Sequence, residues 1–282
     1  IQEIYFYTQG CRLNQSETAS LENGFTQLGY ERDSSFHTAS IVVINTCTVT
    51  ENADSDTKRL VKKMAHANPA IQIALIGCQS QIQQEKLLEL PNVSWVIGNN
   101  DKMKTHHIID QNLSLAAPFV NTPKISRDPF TINATSIDTT HTRATIKIQD
   151  GCDFYCAFCV IPFARGPARS RVFEDIISEC NSLADNGFQE IVITGINIGT
   201  YDYESKTIVD VVTAISKINA IKRIRISSIE PTTIATELIE LMNTNPKLCR
   251  YLHIPLQSGS DDILVAMARK YTISQFRDFV EF

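Results

Sequence analysis

No part of the 282-residue chain approaches the ~20 consecutive apolar residues of a membrane-spanning helix, which excludes a helical membrane protein. The opening IQEIYFYTQG lacks the pattern of a secretory signal. It begins on Ile rather than Met, so a few residues are expected to precede it. The closing SQFRDFVEF reads as a helix cut in its middle, and a C-terminal portion is expected to be missing. Basic residues are not in excess: Lys and Arg number 26 against 31 Asp and Glu, a formal charge of −5, with a pI of about 5.7. That excludes a wholly basic nucleic-acid-binding surface but leaves room for a local basic patch. Internal repeats and low-complexity tracts are also missing. Without an export signal, the eight cysteines are read as reduced and the protein as cytoplasmic. They are then metal ligands, catalytic thiols or core residues.

What is present is a β–α alternation in two parts. Apolar runs at 3–7, 41–45, 71–75 and 93–97 predict strands, with helices near 17–28, 53–67 and 81–90. This predicts an α/β domain over 1–112 with a doubly wound, mostly parallel sheet. Residues 113–142 are rich in Ser, Thr, Asn and Pro and read as a connection carrying an extended segment. From 143 to 282 the alternation returns, with strands expected at 143–148, 190–194, 221–227 and 250–255. Helices are expected at 173–185, 208–218, 233–243 and 261–269. Such βα units suit a barrel or part of one.

Cys11, Cys47 and Cys78 each follow one of the first-domain strands, beside Gly10, Asn45 and Gly77. In a parallel sheet the loops leaving the carboxyl ends of strands gather along one edge, where ligands bind. The fold would therefore collect thiols that lie 36 and 31 residues apart in sequence. Cys180 and Cys249 lack such placement and read as structural.

The second set is Cys152, Cys156 and Cys159, spaced C-x3-C-x2-C directly after the strand at 143–148. A zinc site would need a second ligand arm, and none is within reach; the nearest histidine, His141, precedes the strand. Cubane clusters normally take four thiolates, so three would leave one iron open to a substrate or cofactor. A carboxyl strand end is also where barrel active sites are built.

C-x3-C-x2-C after a first barrel strand, with Phe158 before the last cysteine, resembles the radical S-adenosylmethionine enzymes. The longer text IQDGCDFYCAFCVIPFARGPARSR, with TQGCRLNQSE and NTCTVTENAD upstream, is similar to the methylthiotransferase family within them, and the likeness covers almost the whole chain. The resemblance implies a radical-SAM-type partial (β/α) barrel and two [4Fe-4S] clusters. One would sit on Cys152, Cys156 and Cys159, its open iron binding S-adenosylmethionine for reductive cleavage to a 5′-deoxyadenosyl radical. An auxiliary cluster would sit on Cys11, Cys47 and Cys78. It also implies cofactor contacts at the barrel strand ends, on Phe158, Thr194, Gly195, Ser228, Glu230 and Gln257.

Arg165, Arg169 and Arg171, with no acidic residue anywhere in 154–173, would suit phosphate contacts, and Phe154, Tyr155 and Phe163 would suit base stacking. NTCTVT and PFARGP resemble the enzymes acting on N6-threonylcarbamoyladenosine beside the anticodon of tRNA. The implied reaction replaces C2–H of that base by S–CH3, with an electron donor such as flavodoxin or ferredoxin and a sulfur donor as partners. Isopentenyladenosine in tRNA and a ribosomal-protein aspartate are alternative substrates. Alternatives of other classes are a non-catalytic iron–sulfur electron carrier and a zinc-binding structural protein. A C-terminal RNA-binding β domain, present in the family, is not seen by residue 282.

Overall fold

The structure, a computed structural model, describes residues 2–48, 51–114, 117–132 and 142–281. Parts of the expected connection, 115–116 and 133–141 with His141, lie outside the described residues, as do Val49 and Thr50 of NTCTVT and Phe282. The chain forms two compact units. The first runs to Ser126 and takes in Phe163–Gly166; the second holds the rest of the described chain from Arg127.

In the first unit the elements are β1 (Glu3–Thr8), α1 (Arg12–Gln27), β2 (Glu31–Arg32), β3 (Ile41–Thr46), α2 (Glu51–Ala67), β4 (Gln72–Gly77), α3 (Cys78–Ile82), α4 (Gln84–Leu88), β5 (Val93–Ile97), α5 (Thr105–Gln111) and β6 (Phe119–Asn121). The six strands form one parallel sheet in the order β2-β1-β3-β4-β5-β6. Alternation along each strand sends side chains to two cores. Ile41, Val43, Ala74, Ile76 and Trp95 pack with Leu21 and Phe25 of α1 and Ile109 of α5 on one face. Val42, Ile44, Ile73 and Leu75 pack with Val61 and Met64 of α2 and Leu87 of α4 on the other. Helices on both faces make the sheet doubly wound, as expected. β6 lies inside the stretch read as a connection and adds the sixth strand beside β5.

α1 starts at Arg12, five residues before the expected start at 17 (17 − 12). Its buried face carries Asn14, Glu17, Thr18 and Ser20 as well as Leu13 and Leu21. Polar residues on the inner face hide the apolar period that marks a helix. Glu17 is the hub of this face. It accepts from Lys102 and, at 3.1 Å, from Arg165, and all three side chains are at most 2% exposed.

The second unit contains β7 (Ala144–Lys147), β8 (Gln149–Asp150), α6 (Ile161–Arg165, whose last residues belong to the first unit), β9 (Arg169–Ser170), α7 (Phe173–Asp185), β10 (Glu190–Thr194), α8 (Ile208–Ser216), β11 (Arg223–Ile226), α9 (Thr236–Thr244), α10 (Asp261–Ala266) and α11 (Ile273–Glu281). Strands β11, β10 and β7 pair in parallel in that order. Their helix-facing isoleucines, Ile146, Ile191, Ile193, Ile224 and Ile226, meet α7, α8 and α9 through Ile176, Leu183, Val211, Ile215 and Leu238. The opposite face carries Lys147, Thr194 and Arg225, the polar lining of a partial (β/α) barrel. α8 starts on a capping box, Thr207 accepting from Val209 N and Asp210 accepting from Thr207 N.

The strand expected at 250–255 does not form. Residues 248–253 reach β11 and its loop only through isolated bridges, Ile224 to Leu248 and Ser228 to His253. Tyr251 N turns back to Cys249 O at 2.8 Å, and Pro255 has no N–H for a ladder. Among the described residues no helix is long and apolar enough to cross a membrane.

Removing the hub carboxylate takes away a counter-charge that two buried cations share. Glu17→Ala is therefore expected to destabilise the protein by about 3–5 kcal/mol, read from the urea midpoint of the first unit.

Candidate functional site

Strands β1, β3 and β4 are neighbours, with Thr8 opposite Asn45 and Thr46 opposite Gly77. Cys11, Cys47 and Cys78 follow them, so all three thiols leave from the carboxyl edge of adjacent strands. Gly10 has φ +90°, and a Cβ on it would lie 2.7 Å from Cys47 Cβ and 2.8 Å from its Sγ. Only glycine lets the Cys11 loop come this close to Cys47.

Buried amides hold the three loops together. Asn14 Nδ2 donates to Gln9 O at 2.8 Å and to Thr46 O at 3.2 Å. Asn45 Nδ2 donates to Asn14 O at 3.0 Å, and Thr46 Oγ1 to Ile76 O at 2.7 Å. Asn14 Oδ1 in turn accepts from Arg165 Nη2 at 2.7 Å. Bonds thus run from Arg165 through Asn14 to the backbone just before Cys11 and Cys47, and on through Thr46 to the backbone before Cys78. Asn14 was not singled out in the sequence, where nothing marks an asparagine in the first turn of a helix as a tie between loops.

In the second unit Cys152, Cys156 and Cys159 lie on the loop after β8. Cys159 N donates to Cys156 O at 2.9 Å, a tight turn, and Ala157 N donates to Met267 O at 3.0 Å. Arg127 pairs with Asp153 at 2.6 Å and holds that carboxyl below its usual pKa range. Burial pushes the Cys152 and Cys159 thiols up, and the neighbouring thiols push the same way. Arg269 Nη1 lies 3.1 Å from Cys156 Sγ, while Nη2 is paired with Glu230. Burial works against the Arg269 charge, but the bonds to Glu230 outweigh it and raise its pKa.

Gln149, fully buried, stitches two strand ends. Its Nε2 donates to Asp150 O at 3.0 Å and Gly151 O at 2.8 Å, and its Oε1 accepts from Ile196 N at 3.0 Å and Asn197 N at 2.8 Å. Asn197 Oδ1 accepts from Thr233 Oγ1 at 3.0 Å, which extends the stitch to the loop after β11.

The expected cofactor contacts separate into two groups. Phe158, Ser228 and Gln257 are exposed, and Glu230 is half-buried, around the loops that surround the thiols. Ser228 Oγ lies 2.7 Å from His253 Nδ1, and Gln257 holds a left-handed φ of +68°. At Thr194 and Gly195 the backbone itself meets neighbouring strands and loops. Thr194 O accepts from Ile148 N at 3.0 Å, and a Cβ on Gly195 would lie 2.9 Å from Gln149 O. The missing side chain at 195 is accounted for by Gln149.

The three arginines correct the sequence reading. Arg165 is 1% exposed against Glu17 and Asn14, and Arg171 is fully buried between Asp175 at 2.6 Å and Glu179. Arg169 is 8% exposed and pairs with Asp150 at 3.1 Å, which also accepts from Lys147 at 2.7 Å. Guanidiniums buried against carboxylates are structural and offer no phosphate rim. The exposed groups of this loop are instead aromatic: Tyr155 is 56% and Phe158 55% exposed. Cys180 is a core residue whose thiol burial pushes up to about 12, and all eight cysteines are free thiols.

Among the described residues no three His, Cys, Asp or Glu side chains are set to hold a single metal ion. A cubane asks for a wider set, because each thiolate takes a different iron. Buried polar atoms without partners mark both places. Asn45 Oδ1, both amide atoms of Gln79, Ser80 Oγ and Asn99 Oδ1 lie in or beside the strand ends carrying Cys47 and Cys78; Arg269 Nε belongs to the guanidinium beside Cys156. Such atoms are costly unless a ligand meets them, so the residues present fit a bound group at each thiol set.

Residues 3–98 match the Uncharacterized protein family UPF0004, and residues 146–282 match the Radical SAM superfamily. The Threonylcarbamoyladenosine tRNA methylthiotransferase MtaB of Bacillus subtilis is 37% identical over 98% of this chain and 62% of its own length. Its Aquifex aeolicus counterpart is 35% identical over 99% of this chain and 69% of its own length. The tRNA-2-methylthio-N(6)-dimethylallyladenosine synthase of Thermodesulfovibrio yellowstonii is 31% identical over 97% of this chain and 63% of its own length. The chain thus spans somewhat under two thirds to about two thirds of these relatives. In fold it is similar to the radical S-adenosylmethionine methyltransferase TsrM from Kitasatospora setae, with a TM-score of 0.68 over 99% of this chain and 66% of that one, at 14% identity. Two thiol sets at parallel strand ends, and a relative 35% identical along nearly all of this chain, lead to one conclusion: the chain belongs to the radical S-adenosylmethionine methylthiotransferase family.

Proposed function

We propose that this chain carries the chemistry of a tRNA methylthiotransferase that places S–CH3 at C2 of N6-threonylcarbamoyladenosine beside the anticodon. One observation carries the reading: two separate sets of three cysteines, each at carboxyl strand ends and each one thiolate short of a closed cubane. The free thiols suit a reducing compartment, the cytoplasm.

Cys152, Cys156 and Cys159 would hold a four-iron cluster that, with S-adenosylmethionine bound, supplies one electron and a 5′-deoxyadenosyl radical. Cys11, Cys47 and Cys78 would hold a second cluster, from which sulfur is supplied. The other residues position and charge-balance. Glu230 presents a carboxylate suited to the cofactor's amine, and Arg269 pairs with that carboxylate and orients it. Ser228 and Gln257 offer hydrogen bonds to polar groups of the cofactor. Gln149 fixes the loops after β8 and β10 relative to each other, so the thiols and the cofactor's partners stay in register. Tyr155 and Phe158, each more than half exposed, have the ring type that stacks on a base leaving the anticodon stack. A one-electron donor such as flavodoxin or ferredoxin, and a sulfur donor, complete the system.

The thiol sets lie in different units, so one can be lost without the other. Cys47→Ala is expected to keep reductant-dependent 5′-deoxyadenosine formation and to lose the methylthio nucleoside, both read by mass spectrometry. Methylthiolation at the normal rate would remove the sulfur role from the first set.

Stacking on an aromatic ring is worth about 1–3 kcal/mol per base. Tyr155→Ala should therefore raise KM for tRNA by roughly 5- to 150-fold and leave 5′-deoxyadenosine formation without tRNA unchanged. An unchanged KM would assign this ring to surface packing.

The substrate is tested with matched tRNAs carrying unmodified, isopentenylated or threonylcarbamoylated adenosine. Product is expected from the threonylcarbamoylated RNA. Product from the isopentenylated RNA alone would move the protein to the dimethylallyladenosine enzymes, and product only on a ribosomal protein would remove RNA as the substrate.

A further inference from the structure

The mechanism above leaves unused a group of buried amides beside the first thiol set. Asn99 Nδ2 lies 3.5 Å from Cys78 Sγ, at hydrogen-bond range for a sulfur acceptor, and 2.7 Å from Ala164 O. Two N–H groups on one nitrogen, each with an acceptor, fix which end of the amide faces the sulfur. Asn99 N donates to Gln81 Oε1 at 3.0 Å, which fixes the backbone as well. Next to Cys78, Gln79 is fully buried in α3, and neither atom of its amide has a partner. Of the eight unpartnered buried side-chain atoms among the described residues, five belong to Asn45, Gln79, Ser80 and Asn99. An apolar residue would serve position 79 better if the site held nothing, because a buried amide that loses water without gaining a partner is destabilising.

We infer that Asn99 and Gln79 are positioning residues for the cluster on Cys11, Cys47 and Cys78. They donate side-chain N–H groups to its sulfur atoms and raise its reduction potential. The inference rests on the two-cluster reading above. Its physical basis is charge. One-electron reduction adds a negative charge to the cluster, which spreads onto thiolate and sulfide sulfur. N–H dipoles aimed at that sulfur stabilise the reduced state more than the oxidised one, and more strongly away from water. Ligand-sphere hydrogen bonds are among the levers that set such potentials.

The test uses the chain with Cys152, Cys156 and Cys159 all replaced by Ala, so that any cluster signal comes from the first set. After anaerobic loading with iron and sulfide, the reduced and oxidised fractions are read by electron paramagnetic resonance during titration with dithionite. Asn99→Ala and Gln79→Leu are each expected to lower the reduced-to-oxidised ratio at fixed potential about tenfold, a shift of about 59 mV for a one-electron couple. Asn99→Ser, which restores a donor, is expected to recover part of it. Gln79→Leu breaks none of the protein's own hydrogen bonds, so its metal-free urea midpoint should stay level or rise. It carries the test should Asn99→Ala fail to fold. A cluster that assembles in Gln79→Leu and Asn99→Ser with the ratio unchanged overturns the inference alone. No cluster uptake by the triple-alanine background overturns the two-cluster reading and the inference with it.

Discussion

Thr8 stands opposite Asn45 and Thr46 opposite Gly77 because β1, β3 and β4 run parallel in one hydrogen-bonded register. Parallel pairing sends every carboxyl end to the same edge, and everything proposed for the first unit depends on it. A one-residue slip of β3 would turn Val42 and Ile44 toward the wrong core and carry Cys47 away from its neighbours. Two apolar cores hold the register, one on each face of the sheet. β3 is buried at all six positions, so its placement is the most constrained. The second unit uses the same device with fewer strands: β7, β10 and β11 point their carboxyl ends at one set of loops.

Strand ends bring loops near one another but do not fix them. In both units a buried amide does that. Asn14 ties Gln9 and Thr46, and Gln149 ties Asp150 and Gly151 to Ile196 and Asn197. An amide has two N–H donors and an acceptor oxygen, so Asn14 holds two carbonyls through one nitrogen, and Gln149 holds carbonyls at one end and N–H groups at the other. Each is anchored further, Asn14 by Arg165 and the Gln149 network by Thr233.

The longer strands, most helices and the placing of both thiol sets after strands were legible in the sequence because they rest on local signals: apolar runs, period and cysteine spacing. The two- and three-residue strands β2, β6, β8 and β9 are too short to carry them. What was illegible depends on distant partners. Residues 154–173 contain no carboxylate, so their arginines read as available for phosphate. Glu17, which holds Arg165, lies 148 residues away, and Asp175 and Glu179 approach Arg171 only once α7 has formed. The early start of α1 was hidden because its inner face is polar, and the run at 250–255 has strand composition without a strand's backbone pairing. Asn99, two residues past the end of β5, a strand that carries no thiol, could not be linked to Cys78 by spacing at all; only the fold brings Nδ2 to that sulfur.

That each thiol set holds an open-iron cluster is the central claim. Mössbauer spectroscopy of the unmodified chain, loaded anaerobically with isotopically enriched iron, tests it most directly, with and without S-adenosylmethionine. The account predicts two four-iron clusters, with one iron site of one cluster altered by the cofactor. A single cluster in the loaded protein, or zinc in place of iron at either set, would contradict it.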